Sequence, residues 1–484
     1  MEQNRFSIAI LALGGQGGGV LADWIQHIAR EDGWLAQGTS VPGVAQRTGS
    51  TVYYVELAKP DIGGRSPVMA QMPMPGDVDI VIASELMETG RALLRGFSTA
   101  GRTTLIGSTH RVYAMSEKTA MGDGRGNSDA IVKAAGERSK RFIGFDMEAA
   151  ADGTNSVISA VMFGALAGSG ALPFARDLYE KAIRDSGIAV ATNLAGFDAG
   201  WQAAQGVVAM PAAESHAVPS ATTTAGKALE VRARANLPET AIPNALHGIQ
   251  RLMDYQDAAY AELFLDRLET VAARDQSPFT LTAEAARHLA LWMSYEDSIR
   301  VADLKTRDTR IARVRGEVKA SGAQLLTITE FMHPRLREIC EILPARLGRG
   351  ILESEFLVRS TSGFFTSGRH VETTSLRWFL LLRTLAGLRR WRPKSLRFAD
   401  EQARIETWLD RVRTTAAGDN ALAIELVRCQ RLIKGYGDTF ERGLGNFERI
   451  MAARPQSAEE VSRLCAAALS DEGGQALDEA LKAA

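Results

Sequence analysis

The stretch that decides the fold of the first part of the chain is residues 8–19, IAILALGGQGGG. Residues 8–13 are a short continuous apolar run, which is typical of a buried β-strand. Residues 14–19 hold five glycines and one glutamine, and the apolar residues Leu21, Ile25 and Ile28 then recur at helical spacing. The pattern therefore predicts a strand, a glycine loop and a helix in that order.

Further strands follow the same plan. They are predicted over residues 51–57, 78–83, 103–106 and 141–145. Three helices are predicted later, over residues 156–166, 173–186 and 195–205. Residues 39–50, TSVPGVAQRTGS, are polar and glycine-marked and are interpreted as a loop. Because strands and helices alternate, we expect an α/β fold with a mostly parallel, Rossmann-like sheet covered on both faces.

Glycine content divides the chain into two parts. Of the 45 glycines, 29 lie in residues 1–207. Residues 208–242 are rich in Ala, Ser, Thr and Pro with weak periodicity, as expected of a linker or an extended arm. Residues 243–484 contain long stretches in which apolar residues recur every three or four positions. We predict an α/β domain over 1–207, a linker over 208–242 and a largely α-helical domain over 243–484.

Two features of the helical part have competing interpretations. Residues 376–392, which end at Pro393, are interpreted as a buried helix with a basic end, although such a pattern also suits a helix on a membrane surface. Tyr255, Tyr260 and Tyr295 have acidic neighbours and either line a pocket or pack between helices.

Composition excludes several classes of protein. Over 484 residues, 56 basic and 57 acidic side chains give a net charge of -1, which offers no electrostatic basis for binding nucleic acid. No apolar run approaches the roughly 20 residues of a bilayer span, and no secretory signal is recognisable at the N-terminus. The three cysteines, Cys340, Cys429 and Cys465, are far apart in sequence and form no CxxC pattern. A cytoplasmic location is expected.

The glycine loop has several possible meanings. Glycines between a strand and a helix let a ligand approach the backbone, and the helix N-terminus attracts phosphate or carboxylate. The dinucleotide fingerprint fails, however, because it requires glycine where Val20 stands, and no acidic residue follows about 20 residues later. The phosphate-loop signature is also missing. A bound dinucleotide, a tight packing turn and a surface for a partner's ligand remain open alternatives.

Taken together, several stretches resemble a known family. The glycine loop and the stretch AQRTGS at 45–50 resemble the gamma module of the 2-oxoacid:ferredoxin oxidoreductases, most closely the beta subunits of indolepyruvate oxidoreductases. The stretches at 121–129, 156–174 and 193–197 strengthen the likeness to long-chain bacterial members with a helical extension. Many other members have His-Gly-Met-Ala-Gln-Arg-Gly-Gly, but here Pro42 replaces the histidine and Thr48 the first of the two final glycines.

The resemblance implies an accessory subunit without catalytic residues or a metal of its own. In the family, thiamine diphosphate with Mg2+ and [4Fe–4S] clusters lie on a larger alpha subunit, an aryl 2-oxoacid such as indolepyruvate loses CO2, electrons pass to ferredoxin, and coenzyme A receives the acyl group. On this chain we expect binding or interface residues in the two loops. They are Gly14, Gly15, Gln16, Gly17, Gly18, Gly19, Gln46, Arg47, Gly49 and Ser50.

Three other signals carry less weight. Gly122-Asp123-Gly124 with Asn155 resembles a thiamine–magnesium motif, but no apolar strand precedes the aspartate, so a surface loop is favoured. The seven histidines lack HxxxH or HExxH spacing, and no nucleophilic serine elbow is recognisable. The alternative function is a stand-alone nucleotide-binding or regulatory α/β protein that uses the glycine loop.

Overall fold

The computed structural model describes most of the chain. The described residues are 3–41, 50–60, 67–113, 117–118, 124–206, 218–318, 320, 324–332, 335–362, 368–435, 437–471 and 473–483. By its internal contacts the chain divides into two compact units, residues 1–215 and 216–484. The domain boundaries given above from composition stay a prediction.

The first unit is built on a six-stranded sheet. Its strands are β1 Arg5–Leu13, β2 Leu35–Val41, β3 Ser50–Ala58, β4 Ile80–Ala83, β5 Thr104–Ser108 and β6 Arg141–Phe145. Their order in the sheet is β2-β3-β1-β4-β5-β6. The pairs β1–β4, β4–β5 and β5–β6 are parallel, whereas β3 runs antiparallel to both of its neighbours. The predicted mostly parallel α/β fold is confirmed.

Helices cover both faces of this sheet. They are α1 Gly18–Glu31, α2 Leu86–Leu94, α3 Ser128–Glu137, α4 Met147–Gly153, α5 Ile158–Ser169, α6 Arg176–Ser186 and α7 Val190–Ala204. Successive residues of β1 point to opposite faces, so Ile8 and Ile10 join a core with α1, α5, α6 and α7. Ala9 and Leu11 join a second core with α2 and α3. This double burial explains the unbroken apolar run at 8–13.

Helix α5 is completely buried and packs against α7 through glycines. A Cβ atom added at Gly164 would lie 1.9 Å from the carbonyl oxygen of Phe197, and one at Gly200 would lie 2.0 Å from that of Val161. The two helices therefore approach more closely than any side chain at these positions would permit. The stretches at 156–174 and 193–197, which contributed to the family resemblance, thus have a packing role.

The loop predicted over residues 39–50 is only partly correct. Residues 39–41 belong to β2 and Ser50 begins β3, while residues 42–49 lie outside the described part of the chain. Strand β2 is one of the two edge strands of the sheet, and its residues are half-buried or exposed. It therefore lacks the apolar run that marks the central strands, which is why the sequence pattern missed it.

The second unit is mainly α-helical, as predicted. Its helices are α8 Thr224–Asn236, α9 Ile242–Tyr255, α10 Ala258–Ala272, α11 Thr280–Met293, α12 Ser298–Lys305, α13 Asp308–Glu317, α14 Leu336–Ile342, α15 Ala345–Glu353, α16 Glu355–Ser362, α17 Leu376–Gly387, α18 Leu396–Ala416, α19 Asn420–Arg428, α20 Gly437–Ala453, α21 Ala458–Ser470 and α22 Gln475–Lys482. The strands β7 Thr329–Met332 and β8 Arg369–Glu372 form an antiparallel pair. Helix α8 lies within the stretch predicted as a linker, and its Leu229 and Ala233 are buried in the core of this unit.

Two details of this unit bear on the earlier alternatives. Tyr255, Tyr260 and Tyr295 are buried between helices, which favours packing over a tyrosine-lined pocket. The segment 376–392 is not a buried helix: its helix α17 is largely exposed, with Leu376 74% and Leu380 54% exposed, and within α17 only Leu382 and Ala386 are buried. Among the described residues, no helix is long and apolar enough to cross a membrane.

Candidate functional site

Loops from three strands meet at one edge of the sheet. Strands β1, β4 and β5 are parallel neighbours, so their carboxyl ends lie side by side. The glycine loop follows β1, Ser84 and Glu85 follow β4, and His110 follows β5. In parallel α/β sheets this edge is where ligands bind. These groups define the candidate site, which is called the loop edge below.

Half of the glycine loop is required by packing. Gly17 has a left-handed backbone conformation at the start of α1, with φ 70°. A Cβ at Gly17 would lie 2.8 Å from Ser159 Oγ, and a Cβ at Gly18 would lie 2.6 Å from the Tyr53 ring and 2.7 Å from Ala12 Cβ. Glycine at these two positions lets α1 begin directly against the sheet.

The other half of the loop is open. Gly14 and Gly15 are exposed, and a Cβ at either position would meet no atom within 4 Å. Gly15 has φ 89°, which favours glycine, but the backbone of Gly14 is not left-handed. Packing inside this unit therefore leaves Gly14 unexplained. The sequence left three interpretations of the loop: a tight packing turn, a bound dinucleotide and a surface for a partner's ligand. The packing turn explains Gly17 and Gly18, and the other two interpretations remain alternatives for Gly14 and Gly15.

Gln16 fixes the open part of the loop to the sheet. Its side-chain carbonyl accepts hydrogen bonds from the backbone N–H of Leu13, at 3.3 Å, and from the hydroxyl of Ser84. Its own backbone N–H donates to the Leu13 carbonyl at 3.1 Å. Ser84 in turn lies immediately beyond β4. The amide side chain therefore holds the loop at the ends of β1 and β4 and is itself engaged within the protein.

Glu85 is a buried carboxylate at the loop edge. It is 1% exposed, and its two oxygens accept the backbone N–H groups of Glu88 at 2.8 Å and Met87 at 2.9 Å, capping α2. Burial raises the pKa of the Glu85 carboxyl above its ordinary value, and the backbone hydrogen bonds that oppose this offset only part of it.

The raised pKa of Glu85 predicts a pH-dependent stability. The folded state favours the protonated carboxyl, so this contribution is fully present below the ordinary pKa of 4.5 and is lost as the pH rises through the raised pKa. We expect Glu85→Gln to lessen the loss of unfolding free energy over that range, measured by urea denaturation at several pH values. Glu137→Gln, at an exposed glutamate of α3, should keep the wild-type slope.

His110 is a residue of the loop edge that sequence reasoning missed, as it missed Ser84 and Glu85. Its Nδ1 lies 2.6 Å from Ser108 Oγ, which also accepts the backbone N–H of Met147 at 3.0 Å. The hydroxyl can donate to Nδ1, which places the ring proton on Nε2. The buried Nε2 has no hydrogen-bond partner among the described residues. Their position in the sequence could have identified them, because Ser84, Glu85 and His110 all follow predicted parallel strands, and ligands bind beyond the carboxyl ends of such strands.

The second predicted loop is placed only at its end. Gln46, Arg47 and Gly49 lie outside the described residues. The backbone of Ser50 pairs with Leu13 at the end of the β1–β3 ladder, directly before the glycine loop. The structure therefore brings the end of the second loop to the start of the first one.

The described residues offer little to a metal ion or a cluster. No group of three or more His, Cys, Asp or Glu in the described ranges is arranged to bind a metal. Asp123 lies outside them, and Asn155, at φ 48°, forms a turn between α4 and α5. The cysteines correct the sequence picture in one respect: Cys429 and Cys465 are buried hydrogen-bonded neighbours, and this contact with burial raises the pKa of Cys429. Two thiols remain short of the four that iron–sulfur clusters usually require.

Two family models match the chain. The loop edge lies in a region, residues 7–203, that matches the family described as pyruvate ferredoxin/flavodoxin oxidoreductase. Residues 243–453 match DUF6537, a family of unknown function. The first unit is thus an α/β domain with loops gathered at the carboxyl edge of its sheet. The match to the pyruvate ferredoxin/flavodoxin oxidoreductase family covers residues 7–203 of this unit, which is less than half of the chain. No curated protein matches the chain.

Solved structures with similarity to the chain come from oxidoreductases. They include the pyruvate oxidoreductase subunit PORC of Thermotoga maritima, at 16% identity and TM-score 0.29, covering 41% of this chain and 97% of that one. The gamma subunit of a keto/oxoacid ferredoxin oxidoreductase from Geobacter sulfurreducens PCA has 17% identity and TM-score 0.29, covering 41% and 98%.

A third structure is the 2-oxoglutarate:ferredoxin oxidoreductase of Magnetococcus marinus with 2-oxoglutarate, coenzyme A and succinyl-CoA bound. It has 15% identity and TM-score 0.31, and the match covers 49% of this chain and 38% of that one. Because these TM-scores are low, the function is inferred from the family match and from the residues of this chain, and not from these structures.

Proposed function

We propose that this chain is the beta- or gamma-type accessory subunit of an oxidoreductase that oxidatively decarboxylates aryl 2-oxoacids such as indolepyruvate. The observation that carries the proposal is the family match of residues 7–203, the region that contains the loop edge. The partner would be a larger cytoplasmic subunit, and ferredoxin or a similar protein would accept the electrons. The aryl preference rests on the sequence resemblance to indolepyruvate oxidoreductases.

The catalytic equipment is assigned to the partner. Thiamine diphosphate with Mg2+ supplies carbanion stabilisation, and [4Fe–4S] clusters supply the electron path, with coenzyme A as acyl acceptor. This chain's described residues provide neither a metal-binding group nor four neighbouring thiols. In this proposal the chain contributes by binding to the partner subunit that carries the cofactors. The helical unit is given no chemical role.

The loop edge is proposed to face the partner. Gly14 and Gly15 present open backbone there, and the N-terminus of α1 lies close behind them. Arg47 and Gln46 belong to the loop that ends at Ser50, beside Leu13. A backbone without side chains permits close approach by another chain, and a guanidinium with free amides can hold a phosphate or carboxylate. Both roles, shaping the interface and holding an anion, are compatible with this placement.

Gly14→Trp tests whether this surface faces a partner. The new side chain would enter open space, so the variant should fold like the wild type but associate with the thiamine-bearing subunit at least about tenfold more weakly. Co-expression, pull-down and arylpyruvate-dependent dye reduction measure the effect. The matched control is Gly101→Trp, because Gly101 is equally open but precedes β5, at the opposite edge of the sheet. Equal association of both variants, or full activity of the partner alone, would contradict the proposal.

Arg47→Met separates the two roles of the loop edge within the assembled enzyme. If the guanidinium holds an anion, the KM for the 2-oxoacid or coenzyme A should rise while association is unchanged. Weaker association with an unchanged KM identifies an interface role. The control is Arg138→Met, at an exposed arginine that closes α3 just before β6, at the opposite edge of the sheet.

A stand-alone nucleotide-binding protein is the second candidate, and the open Gly14–Gly15 backbone is what favours it. Calorimetry of the isolated chain with NAD, FAD, ATP and coenzyme A distinguishes the two. Tight binding without a partner, abolished in Gly14→Trp, is required by this candidate and not by the accessory-subunit proposal.

A further inference from the structure

The helical unit contains an open cavity of about 600 Å³ between α9, α11 and α12. Its lining residues are Asn244, His247, Gly248, Gln250, Arg251, Asp254, Arg287, Ala290, Leu291 and Arg300. Along α9 most of these residues are spaced by three or four positions, so they share one face of the helix. The cavity is therefore formed by residues of three packed helices and does not depend on a loop.

Small residues create the floor of this cavity. A Cβ at Gly248 would lie 2.8 Å from the Phe264 ring and 3.0 Å from Ala290 Cβ. Glycine at 248 and alanine at 290 therefore bring α9 close to α10 and α11 at this level. The longer side chains that flank these two residues along α9 and α11 form the walls of the cavity. The size of the space is in the range of small-molecule sites.

The walls carry an excess of positive charge. Three arginines line the cavity, Arg251, Arg287 and Arg300, against one carboxylate, Asp254. That carboxylate is already paired, at 2.8 Å with Arg300 and 3.1 Å with Arg307 outside the lining. Glu296 is the other acidic group that acts on Arg251 electrostatically. Arg251 and Arg287 form no ion pair with any carboxylate in the described parts of the chain.

One of these two arginines is held in place by a neutral contact. The Nε of Arg251 donates to Ser294 Oγ, and that hydroxyl donates to the carbonyl of Ala290 at 2.8 Å. Both terminal nitrogens of Arg251 are left without an acceptor among the described residues. Partial desolvation, and then repulsion by Arg300, lowers the pKa of Arg251, although the residue as a whole is exposed. Elsewhere in the unit, Arg232 pairs with three carboxylates and Arg428 with two.

We propose that this cavity binds a small organic molecule through an oxyanion, phosphate or carboxylate, held by Arg251 and Arg287. Planar guanidinium groups match the geometry of both oxyanions. The exposed side of Leu291 and the methyl of Ala290 offer apolar contact to the rest of the ligand. This site is independent of the proposed function, because it lies wholly in the unit that matches DUF6537.

Titration calorimetry of the full chain tests the site with three probes: pyrophosphate, coenzyme A and phenylacetate. At least one should bind saturably with one molecule per chain, and more weakly as salt is added. Binding of pyrophosphate or coenzyme A identifies a phosphate site, and binding of phenylacetate alone identifies a carboxylate site. Loss of two charge-assisted contacts in Arg251→Met/Arg287→Met should weaken that binding at least about tenfold.

Controls keep this test decisive. Arg463→Met removes an exposed arginine of α21 that does not line the cavity, and it should bind like the wild type. Arg287→Met alone changes only an exposed side chain and should still weaken binding, so a folding defect in the double variant would not mask the result. The proposal is overturned if no probe binds, or if the double variant binds as well as the wild type. A probe whose affinity falls in Gly14→Trp but not in the arginine variants binds at the loop edge and also contradicts it.

Discussion

Gly164→Ala is expected to destabilise the first unit by about 3 kcal/mol or more, at the upper end of overpacking effects. The added methyl would lie 1.9 Å from the Phe197 carbonyl oxygen and 2.7 Å from its carbon. These are backbone atoms in the middle of α7, so they cannot rotate away as a side chain would. Helices α5 and α7 would have to separate, and α5 is buried on every side. Urea denaturation combined with hydrogen exchange over residues 158–169 measures the loss.

The control for this variant is Gly136→Ala. Gly136 also lies inside a helix, α3, but a Cβ there meets nothing within 4 Å. Alanine should leave stability unchanged or raise it by up to about 1 kcal/mol through helix propensity. If Gly164→Ala behaves like Gly136→Ala, the close contact between α5 and α7 is not present in the protein.

Arg392→Met is expected to have the largest effect in the second unit, about 3–5 kcal/mol, as found when one partner of a buried ion pair is removed. Arg392 is 1% exposed, and its guanidinium contacts both oxygens of Asp297, at 2.7 and 3.1 Å. It also donates to the Tyr255 carbonyl at 2.8 Å and lies over the Tyr255 ring, 4.1 Å from its centroid. Methionine would leave the carboxylate of Asp297 buried and unpaired.

The neighbouring Arg390 provides the comparison for this variant. It is exposed and precedes Arg392 by two residues, so Arg390→Met should change the unfolding free energy by no more than about 0.5 kcal/mol. A double-mutant cycle with Asp297→Asn should show that the second substitution costs much less once Arg392 is gone. If the losses of unfolding free energy in Arg392→Met and Asp297→Asn are additive, the ion pair between these two residues does not contribute to stability.

The sequence predicted the central strands well because these are buried on both faces. The bounds predicted for β1 and β3 differ from the structure by a few residues, and the unbroken apolar run of β1 marks it clearly as a buried strand. The bounds predicted for β6 match the structure, although β6 is an edge strand and only partly buried. The sequence pattern did not predict the edge strand β2, because its half-exposed residues include a glycine and three polar side chains. For α17 the apolar residues suggested burial, yet the described contacts of this unit cover only part of the helix.

The candidate site was predictable in position but not in composition. A glycine loop after the first strand marks the carboxyl edge, and the structure places Ser50 beside it. Nothing in the sequence separated Gly17 and Gly18, which are required by Tyr53, Ala12 and Ser159, from the open Gly14 and Gly15. That distinction depends on contacts with residues far along the chain. The unpaired arginines of the cavity were hidden for the same reason, because pairing is a property of three-dimensional neighbours.

The central position of β1 has a consequence for biosynthesis. This strand precedes its hydrogen-bonding partners β3 and β4 along the chain, and its covering helices α5 and α7 extend as far as residue 204. Its apolar run therefore stays only partly buried until nearly 200 more residues are translated. We expect nascent chains shorter than this to need a holding chaperone, and the first unit to complete its fold only after residue 204 has emerged.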